Sequence, residues 1–162
     1  MAENDSRRSP VDIVAAQDEY KVHMWDICLW PRQWQTCCLD LSLSWQSVEL
    51  SNSQRSEVPQ YAGVYSLVVR PGIAGHPACS YLMYLGKAKD LRQRFIDYLT
   101  VERHKRPKVL RLLEKYRGYI QFFYSGVDEK ELDDMEEQLI NAFVPPCNAK
   151  FTGEISTVKG AF

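Results

Sequence analysis

The spacing of apolar side chains changes several times along this chain, and each change marks an element. GVYSLVVR at 63 to 70 is a β-rich run bounded by Gly63 and by Pro71-Gly72, which predicts a first strand. YLMYLG at 81 to 86 predicts a second strand closed by Gly86, the two joined as a long-looped hairpin. Helical spacing follows in Leu91, Phe95, Tyr98 and Leu99. It returns after Pro107, a residue suited to a first turn, in Val109, Leu112, Leu113 and Tyr116, with Gly118 as the stop. YIQFFYS at 119 to 125 predicts a third strand. Asp128 and Glu131 have the form of a capping box for a last helix, which carries the stripe Leu132, Met135, Leu139, Ile140 and Phe143 and ends before Pro145-Pro146. The predicted class is α/β (α+β): a small three-stranded sheet flanked by helices, in β-β-α-α-β-α order.

Upstream the pattern is less regular. Residues 1–12 are mostly polar and predict a disordered start. Residues 13–58 hold Trp25, Trp30, Trp34 and Trp45 with Pro31 among them, and predict a short helix and an extended piece packed on the core as an N-terminal extension. The regular pattern fills a domain at 59–152, and 153–162 is a tail. Five cysteines, with no C-x-x-C and no histidine at zinc-finger spacing, suggest neither a disulfide framework nor a structural zinc. With no long apolar run and no apolar core near residue 1, the expectation is a cytoplasmic protein with no membrane partner.

Charge changes the picture, because the net of -1 hides a strong asymmetry. Residues 87 to 117 carry eleven Lys or Arg against four Asp or Glu, so a basic block sits in an acidic remainder. A phosphate-facing surface and a plain solvated helix face explain such a block equally well when it stands alone. Other features accompany it. Glu136 lies one turn after Leu132 and one turn before Ile140, at the edge of an apolar stripe where an ionised carboxylate needs a cation or a partner. Arg94 shares a helix face with Asp90 and Tyr98, and Lys87 is expected just beyond the strand end. Taken singly, Tyr65 and Tyr84 are ordinary strand tyrosines.

Together these residues carry a resemblance. G-V-Y at 63 to 65, Y-L-G at 84 to 86 and the following K-A-K-D-L-R-Q-R resemble the signature of the GIY-YIG endonucleases. Arg94 falls where that family keeps its catalytic arginine, Glu136 where it keeps its metal-binding glutamate, and Asn148 where it has a closing asparagine. The resemblance spans about residues 60 to 150. Its wording around Tyr98 is most similar to the N-terminal nuclease domain of the bacterial excision-repair incision subunit.

The resemblance implies a metal-dependent endonuclease that hydrolyses DNA phosphodiesters, in a repair, restriction or mobile-element setting. Tyr65, Tyr84, Lys87, Arg94 and Glu136 would be catalytic, with Glu136 holding Mg²⁺ or Mn²⁺ and with Tyr98 and Asn148 in support. Tyr65 is the favoured base, activated by Lys87, and Tyr84 positions water or phosphate; the reverse assignment stays open. Lys89, Arg92, Arg103, Lys105, Arg106, Lys108 and Arg111 from the basic block are candidate DNA contacts. The N-terminal extension is the expected surface for a homodimer or a partner protein. The alternative is a catalytically silent nucleic-acid-binding module of the same fold.

Overall fold

The computed structural model describes residues 23–37, 43–76, 79–100, 106–152 and 155. The predicted disordered start, Arg103 and Lys105, and all of the tail except Ile155 lie outside them. The elements in chain order are α1 (Pro31–Thr36), β1 (Gln46–Glu49), β2 (Gly63–Val69), β3 (Tyr81–Ala88), α2 (Leu91–Leu99), α3 (Pro107–Lys115), β4 (Ile120–Gly126) and α4 (Leu132–Phe143).

The sheet has four strands, not three, in the order β1-β4-β2-β3 with every pair antiparallel. The added strand comes from the Trp-rich lead-in. Gln46–Glu49 alternates no apolar face of its own and leaves three of its four residues exposed, so its strand character comes from pairing with β4. The Tyr124 hydroxyl donates to Gln46 Oε1 at 3.0 Å across that pair. β2 is the central strand, buried over almost its whole length, as expected where both neighbours and both faces are covered.

Each face of the sheet has its own core. Tyr65, Leu67, Tyr84, Phe122 and Tyr124 pack with Leu91 and Phe95 of α2 and with Val109, Leu112 and Leu113 of α3. Val64 and Leu85 pack with Leu132 and Leu139 of α4. Period-two alternation on the strands thus sends neighbouring side chains to opposite helical layers. One member of the predicted stripe on α4 departs from it: Phe143 at the last turn is 52% exposed, whereas its neighbour Ala142, outside the stripe, is buried.

Caps set the helix boundaries. Asp90 accepts from the Gln93 amide at 2.9 Å and starts α2, while the amides of Leu91 and Arg92 donate to the carbonyls of Tyr61 and Pro59. Gly118, at φ +85°, turns the chain from α3 into β4. The expected capping box before α4 is replaced by a local turn. There Asp128 accepts from the Lys130 amide at 3.0 Å, and the N-cap residue Glu131 makes no side-chain cap bond.

Past α4 the chain reverses at Val144, a β-branched residue at φ 46°, where a left-handed backbone is costly. What holds it there is the edge of β3. The Cys147 amide donates to Met83 O at 2.9 Å, the Leu85 amide donates to Asn148 Oδ1 at 3.0 Å, and Asn148 Nδ2 donates to Leu85 O at 2.9 Å. Residues 145 to 148 therefore cover an edge that would otherwise present unpaired amides and carbonyls.

Candidate active site

The expected strand end at Gly86 is passed by two residues, because β3 runs on through Lys87 and Ala88, paired with Val64 and Gly63. This extension shapes the site. Alternation along β3 places Tyr84 on the α2 side and Lys87 on the α4 side, so the two layers of chemistry meet around one edge strand. Gly86 lies between them. A Cβ there would come within 2.5 Å of Tyr65 Oη, so only glycine lets the Tyr65 ring pass over the strand.

Tyr65, Tyr84, Lys87, Arg94, Tyr98 and Glu136 line one cavity of about 370 Å³, together with Arg106 and Val109. All five residues expected to be catalytic thus converge on the same space from β2, β3, α2 and α4. Tyr98 is on the wall with them, and Asn148 sits one layer behind, fixing the backbone of Leu85 between Tyr84 and Gly86.

One wall is phenolic. Tyr65, Tyr84 and Tyr98 are all buried, and the hydroxyls of Tyr65 and Tyr98 share a hydrogen bond of 2.8 Å. Burial first, then the neighbouring phenols Tyr98 and Tyr84, push the Tyr65 hydroxyl well above its ordinary range, with Arg94 acting in the opposite sense. Burial likewise raises Tyr98. Arg94 stands behind this wall on α2. Its burial works against the charged form, but Tyr65, Tyr98, Asp97 and Tyr84 together outweigh that and hold the guanidinium more firmly protonated. Its Nε is buried with no hydrogen-bond partner among the described residues. A guanidinium beside a polar cavity, with a buried N–H lacking an acceptor, suits an anion.

The other wall is ionic. Lys87 Nζ lies 2.5 Å from Asp133 Oδ1 and 2.7 Å from Glu136 Oε2, with Glu136 only 22% exposed in its side chain and Asp133 88%. Asp133 first and Glu136 second raise the Lys87 ammonium, while Lys87 lowers Asp133. Lys87 is therefore shared between two carboxylates, while Arg94 is a cation that favours the ionised form of Tyr65.

Comparison with known proteins gives a fold likeness only. No family model and no curated protein matches this sequence. The solved structures it resembles are GIY-YIG endonuclease domains. Two of these are of the N-terminal endonuclease domain of UvrC from Thermotoga maritima. One is a point mutant bound to the catalytic divalent cation: 23% identity, 62% of this chain and 99% of that chain covered, TM-score 0.43. The other is bound to magnesium: 22% identity, 60% and 93% covered, TM-score 0.42.

The donor set decides which ion the cavity suits. No cluster of three or more His, Cys, Asp or Glu occurs among the described residues, so no protein cage for a metal exists there. A single carboxylate on a polar wall matches Mg²⁺ or Mn²⁺, hard ions that keep most of their water and complete their shell with phosphate oxygens. Glu136 and its cavity fit such an ion.

The wider basic block is put to several uses. Lys89 is exposed, with its ammonium 3.4 Å from Glu129. Arg92 Nε donates to Val58 O at 2.6 Å and its Nη2 to Ser56 O at 3.1 Å, which ties α2 to the segment before β2. Lys108 Nζ donates to Pro146 O at 3.1 Å, and the Arg111 guanidinium stacks over Trp25, 5.8 Å from the ring centre. Arg106 reaches into the cavity, which the linear sequence gave no means of seeing, since its partner Tyr84 lies in another element. A second cavity, of about 1210 Å³, lies at the other end of β3. It is apolar, lined by Trp25, Trp34, Trp45, Tyr81 and Phe143 among others, and carries none of these ionisable groups.

Proposed function

We propose that the chain is a metal-dependent endonuclease of the GIY-YIG type that hydrolyses DNA phosphodiester bonds. The observation that carries this reading is the convergence of Tyr65, Tyr84, Lys87, Arg94 and Glu136 on one cavity in which a buried arginine N–H has no partner.

Glu136 would hold the ion, which when bound stabilises charge on the phosphorus and on the leaving oxygen. Arg94 faces the space from the opposite wall, so its open Nε and the rest of its fork can bind the non-bridging oxygens. Lys87, held by Asp133 as well as by Glu136, keeps an ammonium at the cavity while Glu136 is engaged elsewhere. Tyr65 starts protonated. Its Oη positions the attacking water, and only its phenolate form, which the Arg94 charge favours and burial opposes, can take that water's proton. Asn148 preserves the spacing of Tyr84 and Gly86. The assay is direct: with Mg²⁺ or Mn²⁺ the purified protein nicks or cuts at least one member of a panel of plasmid, flapped and branched DNA, and a chelator abolishes this. Binding without cutting across the panel and both metals would instead establish the silent nucleic-acid-binding module.

A further inference from the structure

Arg106 is the one cation of the cavity that the nuclease reading leaves without a task. It precedes α3 as its N-cap residue, makes no cap bond, and donates from Nη1 to the Tyr84 hydroxyl. Its guanidinium also lies over the Tyr84 ring, 5.8 Å from the centre. A guanidinium can only donate, so the Tyr84 oxygen is fixed as an acceptor from that side. The Tyr84 O–H must then point away from Arg106. Tyr65 and Tyr98 share one hydrogen bond, one hydroxyl donating and the other accepting. Beside them stand the Tyr84 hydrogen and the Nε of Arg94, which has no partner among the described residues.

We propose that Arg106 is a second arginine of the active site, orienting the Tyr84 hydroxyl as a hydrogen-bond donor to the same phosphate that Arg94 binds. The inference rests on the nuclease reading and deepens it. Two guanidiniums then flank one phosphate. Arg94 acts from a rigid helix on the buried side, and Arg106 acts from the start of α3, through Tyr84. The groups facing Tyr84 are Tyr65 from β2, Arg94 and Tyr98 from α2, Arg106 from the start of α3, Lys87 from its own strand and Glu136 from α4. Of these, Arg106 donates a hydrogen bond to its oxygen. A plain DNA-backbone contact would behave differently. An arginine outside the reaction centre adds affinity for DNA of any sequence and leaves the turnover of bound substrate alone.

Two measurements test the proposal. The first needs no cleavage. With tyrosine labelled with carbon-13 at Cζ, the Tyr84 resonance, assigned by its loss in Tyr84→Phe, shifts in Arg106→Gln and stays in place in Lys89→Gln. An unmoved resonance overturns the orienting role. The second is kinetic, on whichever DNA the enzyme cuts. Arg106→Gln lowers kcat on the order of 100-fold, the loss typical of one donor aimed at developing charge, with little change in KM. Arg106→Lys restores part of it, and Arg106→Gln combined with Tyr84→Phe is no slower than the slower single variant. A loss confined to KM, or losses that multiply in the double variant, overturns it. Thermal melts of each variant separate these results from misfolding. If the wild-type protein cuts no DNA, the nuclease reading fails and the shared-phosphate part falls with it, while the resonance still decides whether Arg106 orients Tyr84.

Discussion

The two walls of the cavity face the same space with opposite electrostatics. On the α2 side three phenols are packed together and buried, Tyr65 and Tyr98 held neutral by that burial, with the Arg94 guanidinium behind them, its Nε without a partner among the described residues. On the α4 side an ammonium and two carboxylates stand close together and partly in water. The phenolic wall cannot bind a cation in its protonated state, and the ionic wall cannot by itself clamp an anion, because its only cation is already shared by two acids. A phosphodiester with a divalent ion needs both, and β3 joins them by passing Tyr84 to one layer and Lys87 to the other.

The sharpest way to break the comparison is to remove the acid of the ionic wall. Glu136→Ala leaves Lys87 with Asp133, so the protein stays folded. Cleavage with Mg²⁺ falls by about 1000-fold or more, since the charge stabilisation supplied by a bound metal is lost. Retained cutting, with an unchanged melting curve, would remove Glu136 as the metal ligand.

Next comes the buried guanidinium of the phenolic wall. Arg94→Lys keeps the charge but discards the planar fork and the buried Nε, so turnover falls by about 100-fold and higher metal concentration does not restore it. A variant as fast as the parent would mean that Arg94 acts only as a charge. Comparing this result with that for Glu136→Ala shows whether the two walls act on one phosphate, because losses that act as a unit do not multiply.

Between the walls lies the strand itself, which Asn148 secures. Asn148→Ala deprives the Leu85 amide and carbonyl of their partners at a buried edge and costs about 2–3 kcal/mol of stability, read from urea unfolding. Activity falls as well, because Tyr84 and Gly86 flank Leu85. A stable but slow variant would show that the clamp positions the site without supporting the fold.

How much of this was legible beforehand follows from how local each signal is. Pro107 opening α3 and Gly118 closing it are short-range chemistry, and these boundaries stand in the structure, whereas Asp90, expected on a helix face with Arg94, is the extended N-cap of α2. β1 was only an extended piece in the lead-in, because Gln46–Glu49 owes its strand form to residues near 121 to 124. The same limit applied to the site. The spacing of Glu136 on its stripe pointed inward, but that Lys87 stays within β3 and pairs with Asp133 is decided by the approach of α4, as is the exposure of Phe143. Arg92 and Arg106 look alike in a basic run, yet one fastens to backbone carbonyls and the other to Tyr84. Three-dimensional neighbours alone distinguish them.

The finest distinction between the walls is their response to alkali. Tyr65 and Tyr98 have hydroxyls raised in the folded state relative to the unfolded chain. A raised folded value means that their contribution to stability is complete below the unfolded value, about pH 10, and is lost as pH rises toward the folded one. The urea midpoint therefore holds between pH 7 and 9 and declines above about pH 10. Tyr98→Phe removes one of these groups and leaves the Tyr65 hydroxyl without its 2.8 Å partner. At pH 7 that costs about 1 kcal/mol. From pH 9 to 11 the variant declines less steeply than the parent, since one fewer buried phenol must ionise. Parallel declines would mean that Tyr98 titrates as freely as a surface tyrosine, and that the phenolic wall is wet.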